Sequence, residues 1–558
     1  MDGLFLDADR LAIERERGVW PDRVLTDYFD RWVAETPERT AVIAHREHDA
    51  HTTRLTWREL AGRVTAIAAG LEAHGIARGD VVAFQLPNWW EFVAVHLACV
   101  KIGAISNPLM PIFRRRELSF MVRHGDAKVL IAPAHFREFD HGALALELRR
   151  EIASLEHVFL VGGEGGDSFE RALLGGPGSA HPQPGAKLLP DDVVQLLYTS
   201  GTTGEPKGVL HTSNTLIGTM LTFAERMKLG QGDLVFMPSP LAHQAGFTYG
   251  LVTAVVLGLP LVLLDVWKPA VAVDLLEAHR ATYTFAATPF LADLAAFPGV
   301  ERRALESFRL FVTSGAPIPP VLVQAAQEHL QAAVVAGWGM TECGILTTTH
   351  LSGHKVLESD GNALPGEQVR IVDDRGREAL VGEPGTLKVR GAALFVGYLK
   401  RPQLYEVDAE GWFDTGDIAR IDAEGYIRIC GRRKDIIIRG GENIPVVELE
   451  NALYRMPGVL EAAIVAMPDE RLGERACAFL VARAGGALGA GAVPAKAAIG
   501  LEAVRAFLEA EGIARPFWPE RVEVLDAMPR TPTGKIQKFV LRDRAKGLVA
   551  ASIASTPR

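Results

Sequence analysis

Eleven consecutive residues, Tyr198-Thr199-Ser200-Gly201-Thr202-Thr203-Gly204-Glu205-Pro206-Lys207-Gly208, gather hydroxyls, glycines and a single lysine at the end of an apolar, β-rich run. Such a loop suits a polyphosphate. Glycines let backbone N–H groups converge on anionic oxygens, the Ser/Thr hydroxyls add donors, and Lys207 supplies a mobile positive charge. A P-loop NTPase would need GxxxxGK[ST]. Lys207 is preceded by Pro206 and followed by Gly208, so that reading fails on its own pattern.

Other reactive residue types carry less. The cysteines Cys99, Cys343, Cys430 and Cys477 form no CxxC pair, so neither a zinc motif nor a disulfide framework is expected. Cys343 adjoins Glu342 but is read as a small pocket-lining residue and not as a nucleophile. His350 and His354 have the spacing of a helical metal pair, but Ser352 and Gly353 between them speak against a helix.

The Tyr198–Gly208 stretch resembles the phosphate loop of the adenylate-forming superfamily, which comprises acyl-CoA synthetases, luciferases and peptide-synthetase adenylation domains, and further motifs follow in order. Ser314-Gly315-Ala316-Pro317 resembles the segment lining one face of adenine. Gly337-Trp338-Gly339-Met340-Thr341-Glu342 is similar to the adenine and metal motif, and implies that Thr341 holds the α-phosphate and Glu342 the magnesium. Trp338 stands where the family usually has Tyr; an indole can also stack on adenine. Phe413-Asp414-Thr415-Gly416-Asp417 is similar to the ribose motif, with Arg432 the implied partner of Asp417. Pro529-Arg530-Thr531-Pro532-Thr533-Gly534-Lys535 is similar to the C-terminal motif whose lysine bridges carboxylate and α-phosphate. The resemblance further implies a pivot at Lys434, a pantetheine channel at Gly440 and Gly441, and a ring-bearing residue, His243, between acyl pocket and thiol entrance.

The implied reaction joins a carboxylate to the α-phosphorus of ATP against charge repulsion, with Mg2+, Lys207 and Lys535 offsetting it. Coenzyme A then accepts the acyl group. Phe247, Tyr249, Ala287 and Ile345 are the expected pocket wall, apolar and without a fixed charge, which suits an uncharged acyl tail. The motifs around His243, Arg439, Asp469 and Lys535 look most like cyclohexanecarboxylate and medium-chain fatty acyl-CoA ligases. Alternatives stay open: loading of a carrier protein, a luciferase-type oxygenase, and a non-catalytic nucleotide-binding homologue.

The elements that must hold these residues read as α/β. Apolar runs at 193–198, 282–286, 310–312 and 333–336 each end in a small-residue loop followed by a helical pattern, which predicts parallel-rich sheets covered by helices with ligands at the strands' carboxyl ends. Past Gly431 the pattern restarts, with strand-like 435–439, a Gly-Gly turn and a helix from about Val446. A large N-terminal domain (1–433) and a small mobile α+β domain (434–558) are expected. Residues 162–186 read as a surface connection and 484–500 as a flexible loop, with a helix at about 501–511 after it.

The chain has 558 residues, 48% hydrophobic and 23% charged, with a formal net charge of −9. No basic footprint points to nucleic acid or an anionic membrane. The apolar run 250–264 falls short of the roughly 20 residues of a membrane helix and reads as core. The acidic N-terminus lacks a secretory layout. A cytoplasmic protein acting on a small carboxylic acid is expected, with oligomeric state, a homodimer included, left open.

Overall fold

The computed structural model describes residues 6, 8–175, 188–199, 206–315, 318, 320–351, 353–439, 442–483, 499–530 and 536–554. A nine-stranded sheet runs in the order Asn362–Ala363, Gly344–Thr348, Ala333–Met340, Leu310–Ser314, Tyr283–Phe285, Val235–Met237, Leu261–Leu264, Thr40–Arg46, His51–Thr56. It is parallel from Ala333–Met340 to Thr40–Arg46 and antiparallel at both edges. A six-stranded sheet runs Lys207–Thr212, Val193–Thr199, Ile105–Pro108, Val81–Phe84, Ala127–Pro133, His157–Val161. Only its first pair is antiparallel.

The period-2 alternation of strand side chains decides the layering. In the nine-stranded sheet, Leu261, Leu263, Leu310 and Val312 enter one core, whereas Val262, Leu264 and Phe311 enter another. In the six-stranded sheet, Val82 and Phe84 join that same first core, while Val81 and Ala83 face a third. The first core also takes Leu60, Val64, Phe92, Leu97, Leu216 and Phe223, from the helices Trp57–Ala73, Trp90–Ile102 and Ser213–Arg226. Helices thus fill the space between two sheets that are each buried on both faces, which is why their strands read as continuous apolar runs.

The third sheet, Glu367–Val372, Gly385–Gly391, Phe413–Ile421, Ile427–Arg432, is antiparallel throughout. The parallel-rich expectation therefore does not extend to it: its chain-sequential strands pair directly with one another, with no α-helix in the connections between them. A fourth sheet orders Glu442–Ile444, Ile437–Arg439, Gly473–Ala482 and Val459–Asp469, with Arg521–Leu525 parallel to Gly473–Ala482. Its two faces bury separate clusters, Ile464 in one and Ala463 with Val465 in the other. No described residue before Ile437 contributes to either cluster. The two-domain α/β architecture read from the sequence is thus the one observed.

Local departures have physical causes. Residues 162–186 are not wholly a surface connection, because Phe169 (0% exposed) and Leu173 (2% exposed) are buried, Leu173 in the π-helical turn Glu170–Leu174 that packs on Gly70 so closely that a Cβ there would lie 2.8 Å from the Leu173 Cα. High glycine content hid two apolar anchors. The expected strand at 435–439 begins later, since Arg433–Asp435 form a 3-10 turn and Ile437–Arg439 the strand. The expected loop at 484–500 lies outside the described residues up to 498. Among the described residues no helix is long and apolar enough to cross a membrane; the run 250–264 ends in the buried strand Leu261–Leu264.

Candidate active site

The Lys207 loop closes a β-hairpin. Thr199, the last residue of one strand, stands opposite Lys207, the first of the next. Ser200, Gly201, Thr202, Thr203 and Gly204 lie outside the described residues. The Lys207 ammonium lies 4.8 Å from the centroid of the Tyr398 ring, within range of a favourable cation–π contact.

A second hairpin carries Thr341 and Glu342 at its tip, between the strands Ala333–Met340 and Gly344–Thr348. The closeness of these strands explains the glycine before Met340: a Cβ on Gly339 would stand 2.0 Å from the Gly344 carbonyl oxygen. The Glu342 side chain is buried (6% exposed), and its Oε1 accepts a 2.8 Å hydrogen bond from the Tyr398 hydroxyl. The Thr341 carbonyl oxygen lies 2.7 Å from His211 Nε2. Because a carbonyl only accepts, that nitrogen carries the proton. Burial pulls the His211 pKa down to about 4, so the ring is neutral at physiological pH.

Parallel pairing sets Ser314 against Gly337, so the two segments expected around adenine end side by side at the sheet's carboxyl edge. Gly315 follows with φ +86°; Ala316 and Pro317 lie outside the described residues. Trp338 is buried (9% exposed) and its indole N–H donates to Asp417 Oδ2 at 3.0 Å. Asp417 and Arg432 are cross-strand neighbours, with Arg432 Nε 2.9 Å from Asp417 Oδ1. Three motifs remote in sequence therefore meet at one carboxylate.

The expected pocket wall is apolar. Phe247 and Ile345 are buried in the core between the sheets. Phe247 meets His96 edge-on at 4.7 Å. Tyr249 stacks on Phe285 at 4.7 Å, and its hydroxyl oxygen accepts from the Ile345 N–H at 2.5 Å. Ala287 precedes the helix Thr288–Ala295. His243 is half-buried, and its Nδ1 accepts from the Ala245 N–H at 3.2 Å, capping a short turn. No group of three or more His, Cys, Asp or Glu among the described residues could hold a metal ion by itself. The fit to Mg2+ therefore rests on the chemistry of one hard oxygen donor, the buried Glu342 carboxylate.

The junction has a split geometry. Arg433 Nη2 sits 2.9 Å from Asp414 Oδ2 in the third sheet, whereas Asp435 pairs with Arg542 in the C-terminal helix Lys538–Ala554. Between them lies Lys434, whose side chain is outside the described set, as are Gly440, Gly441 and Lys535. Sequence reasoning missed His211 and Tyr398, which no local motif marks.

Family models describe two stretches of the chain, residues 29–399 as AMP-binding enzyme and residues 448–535 as AMP-binding enzyme C-terminal domain. Across 97% of its length the chain is 35% identical to the medium-chain fatty-acid–CoA ligase of Escherichia coli (strain K12), covering 93% of that protein. It is 32% identical to a salicylyl-CoA synthase / salicylate adenylyltransferase of a Streptomyces species, with 96% of each chain covered. Among solved structures, the anthranilate CoA ligase AuaEII in complex with anthranoyl-AMP superposes with a TM-score of 0.84 at 25% identity, over 96% of this chain and 99% of that one. The chain belongs to the AMP-binding enzyme family, within the adenylate-forming superfamily.

Proposed function

We propose that this protein is an ATP-dependent acyl-CoA synthetase that acts on a short- or medium-chain or alicyclic carboxylic acid. The observation that carries the reading is the convergence of Trp338, Asp417 and Arg432 on one side and of Lys207, Glu342 and Tyr398 on the other. These two groups of contacts support a nucleoside end at Asp417 and a polyphosphate end at Lys207 and Glu342.

In this reading a substrate carboxylate oxygen attacks the α-phosphorus of ATP, the bond to the β-phosphate oxygen breaks, and pyrophosphate leaves. The thiol sulfur of coenzyme A then attacks the acyl carbon, its proton passes to solvent, and AMP leaves. Asp417 accepts from the ribose hydroxyls, with Trp338 and Arg432 fixing its orientation. Gly315, Ala316, Pro317, Gly337 and Gly339 line the base. Residues Thr199–Gly204 and Lys207 hold the phosphates and Thr341 the α-phosphate. Lys535 neutralises charge on attacking and α-phosphoryl oxygens. Magnesium, when bound at Glu342, would screen the phosphate charge. The buried wall of Phe247, Ala287 and Ile345 receives an uncharged acyl tail, and His243 flanks the thiol entrance.

The split anchoring of Arg433 and Asp435 supports a boundary at 433/434 and a pivot at Lys434. After the turn, Gly440 and Gly441 border the pantetheine arm. A second reading, an aryl acid as substrate, is favoured by the likeness to the salicylyl-CoA synthase / salicylate adenylyltransferase. A pyrophosphate-release screen over aliphatic, alicyclic and aromatic acids, with and without coenzyme A, tests both. Release that coenzyme A does not accelerate for any acid contradicts the synthetase reading.

A further inference from the structure

The segment that carries Tyr398 is stitched to both halves of the phosphate end. Its backbone runs beside the strand that begins at Lys207: the Val396 N–H donates to Leu210 O at 2.9 Å, the Leu210 N–H to Gly397 O at 3.0 Å, and the Leu399 N–H to Gly208 O at 2.8 Å. Three residues before Tyr398, the Phe395 N–H donates to the Glu342 carbonyl at 2.7 Å. The Phe395 ring packs against the Tyr398 ring at 4.6 Å, and Arg10 donates to the Phe395 carbonyl at 2.9 Å. The phenol is therefore held by backbone on one side and by packing on the other, at 2% exposure.

From that fixed position its two chemical faces are used separately. The hydroxyl donates to Glu342 Oε1 at 2.8 Å, and the ring lies beneath the Lys207 ammonium at 4.8 Å. A carboxylate oxygen only accepts, so the phenol is the donor of this pair.

We propose that Tyr398 is a positioning residue that sets the Glu342 carboxylate for a divalent cation through its hydroxyl and the Lys207 ammonium for phosphate through its ring. The proposal rests on the site reading given above for Glu342 and Lys207. A hydrogen bond that orients a metal-binding carboxylate commonly changes metal affinity by about 10–100-fold when removed. A ring that only filled space would tolerate loss of its hydroxyl.

Three variants separate these cases: Tyr398→Phe, which keeps the ring; Tyr398→Leu, which removes both faces; and Glu342→Gln. Electron paramagnetic resonance reads Mn2+ bound to the enzyme with a non-hydrolysable ATP analogue, and calorimetry reads pyrophosphate affinity in chelator without divalent cation. Tyr398→Phe should weaken Mn2+ binding about 10-fold and leave cation-free pyrophosphate affinity unchanged, while Tyr398→Leu should weaken both. Wild-type Mn2+ affinity in Tyr398→Phe, or identical losses in both readouts for the Phe and Leu variants, overturns the proposal. Normal Mn2+ binding by Glu342→Gln overturns the site reading itself, and the proposal with it, by a result distinct from a failure at Tyr398 alone.

Discussion

The indole N–H of Trp338 donates to Oδ2 of Asp417 at 3.0 Å, across a sequence separation of 79 residues. Arg432 Nε lies 2.9 Å from Oδ1, so each carboxylate oxygen has a neighbour that bears on its orientation. If Asp417 accepts from the ribose as proposed, Trp338 orients that acceptor. Asp417→Ala should weaken ATP affinity while the fold stays intact. Trp338→Phe keeps an aromatic face but loses the donor, so it should cost about 10-fold, the scale of one hydrogen bond to a charged group. Calorimetric ATP affinities equal to wild type in both variants would contradict the ribose assignment.

Lys535 is expected to act on the phosphorus chemistry and not on thiol attack. Lys535→Ala should lose roughly 10²–10³-fold in adenylate formation, yet still make thioester when supplied with ready-made acyl-adenylate. Equal losses in both half-reactions would argue against a dedicated adenylation role.

Lys434 should show the opposite pattern. Lys434→Pro fixes φ near −65° and restricts Arg433, in a turn whose neighbours are anchored to different domains. Adenylation should survive and thioester formation should fall steeply. An enzyme that completes both half-reactions at wild-type rates would rule out the pivot.

Buried histidines make stability pH-dependent in a defined window. Burial holds His211 at about 4, against 6.5 when solvated. The unfolded chain therefore takes up the proton first as pH falls. The neutral-ring contribution is complete above 6.5 and is lost progressively down to about 4, on the order of 3 kcal/mol. His211→Gln retains an N–H donor for Thr341 without a titrating group, so its unfolding free energy should fall less steeply between pH 6.5 and 4 than that of wild type. Parallel pH curves would contradict the assignment.

The parts of this account that were legible in the sequence are those encoded locally. The Trp338 to Glu342 tip and the Asp417 motif each concentrate glycine and polar residues within a few positions, and the structure joins them through the Trp338–Asp417 hydrogen bond; residues 200–205 of the Tyr198–Gly208 loop lie outside the described residues. The parallel strands could be read from runs such as Val193–Thr199, since two buried faces leave no polar alternation. Tyr398 could not be read this way. It sits 56 residues from Glu342, in the apolar stretch Leu394-Phe395-Val396-Gly397-Tyr398, and its hydroxyl finds its partner only through tertiary contact. His211 likewise bonds Thr341 across 130 residues. The strands of the antiparallel third sheet alternate buried and partly exposed positions, so they lack the continuous apolar runs that mark the parallel strands.

Carboxylate activation by adenylation is proposed to precede thioester formation. Its most direct measurement is exchange of labelled pyrophosphate into ATP, run without coenzyme A over aliphatic, alicyclic, aromatic and amino acids, and repeated with coenzyme A while thioester is followed. Exchange driven by monocarboxylic acids with an uncharged tail, silent with free amino acids, and giving way to acyl-CoA when the thiol is added, is the predicted result. Exchange supported by a free amino acid, or adenylate that forms and never passes to coenzyme A, would contradict it.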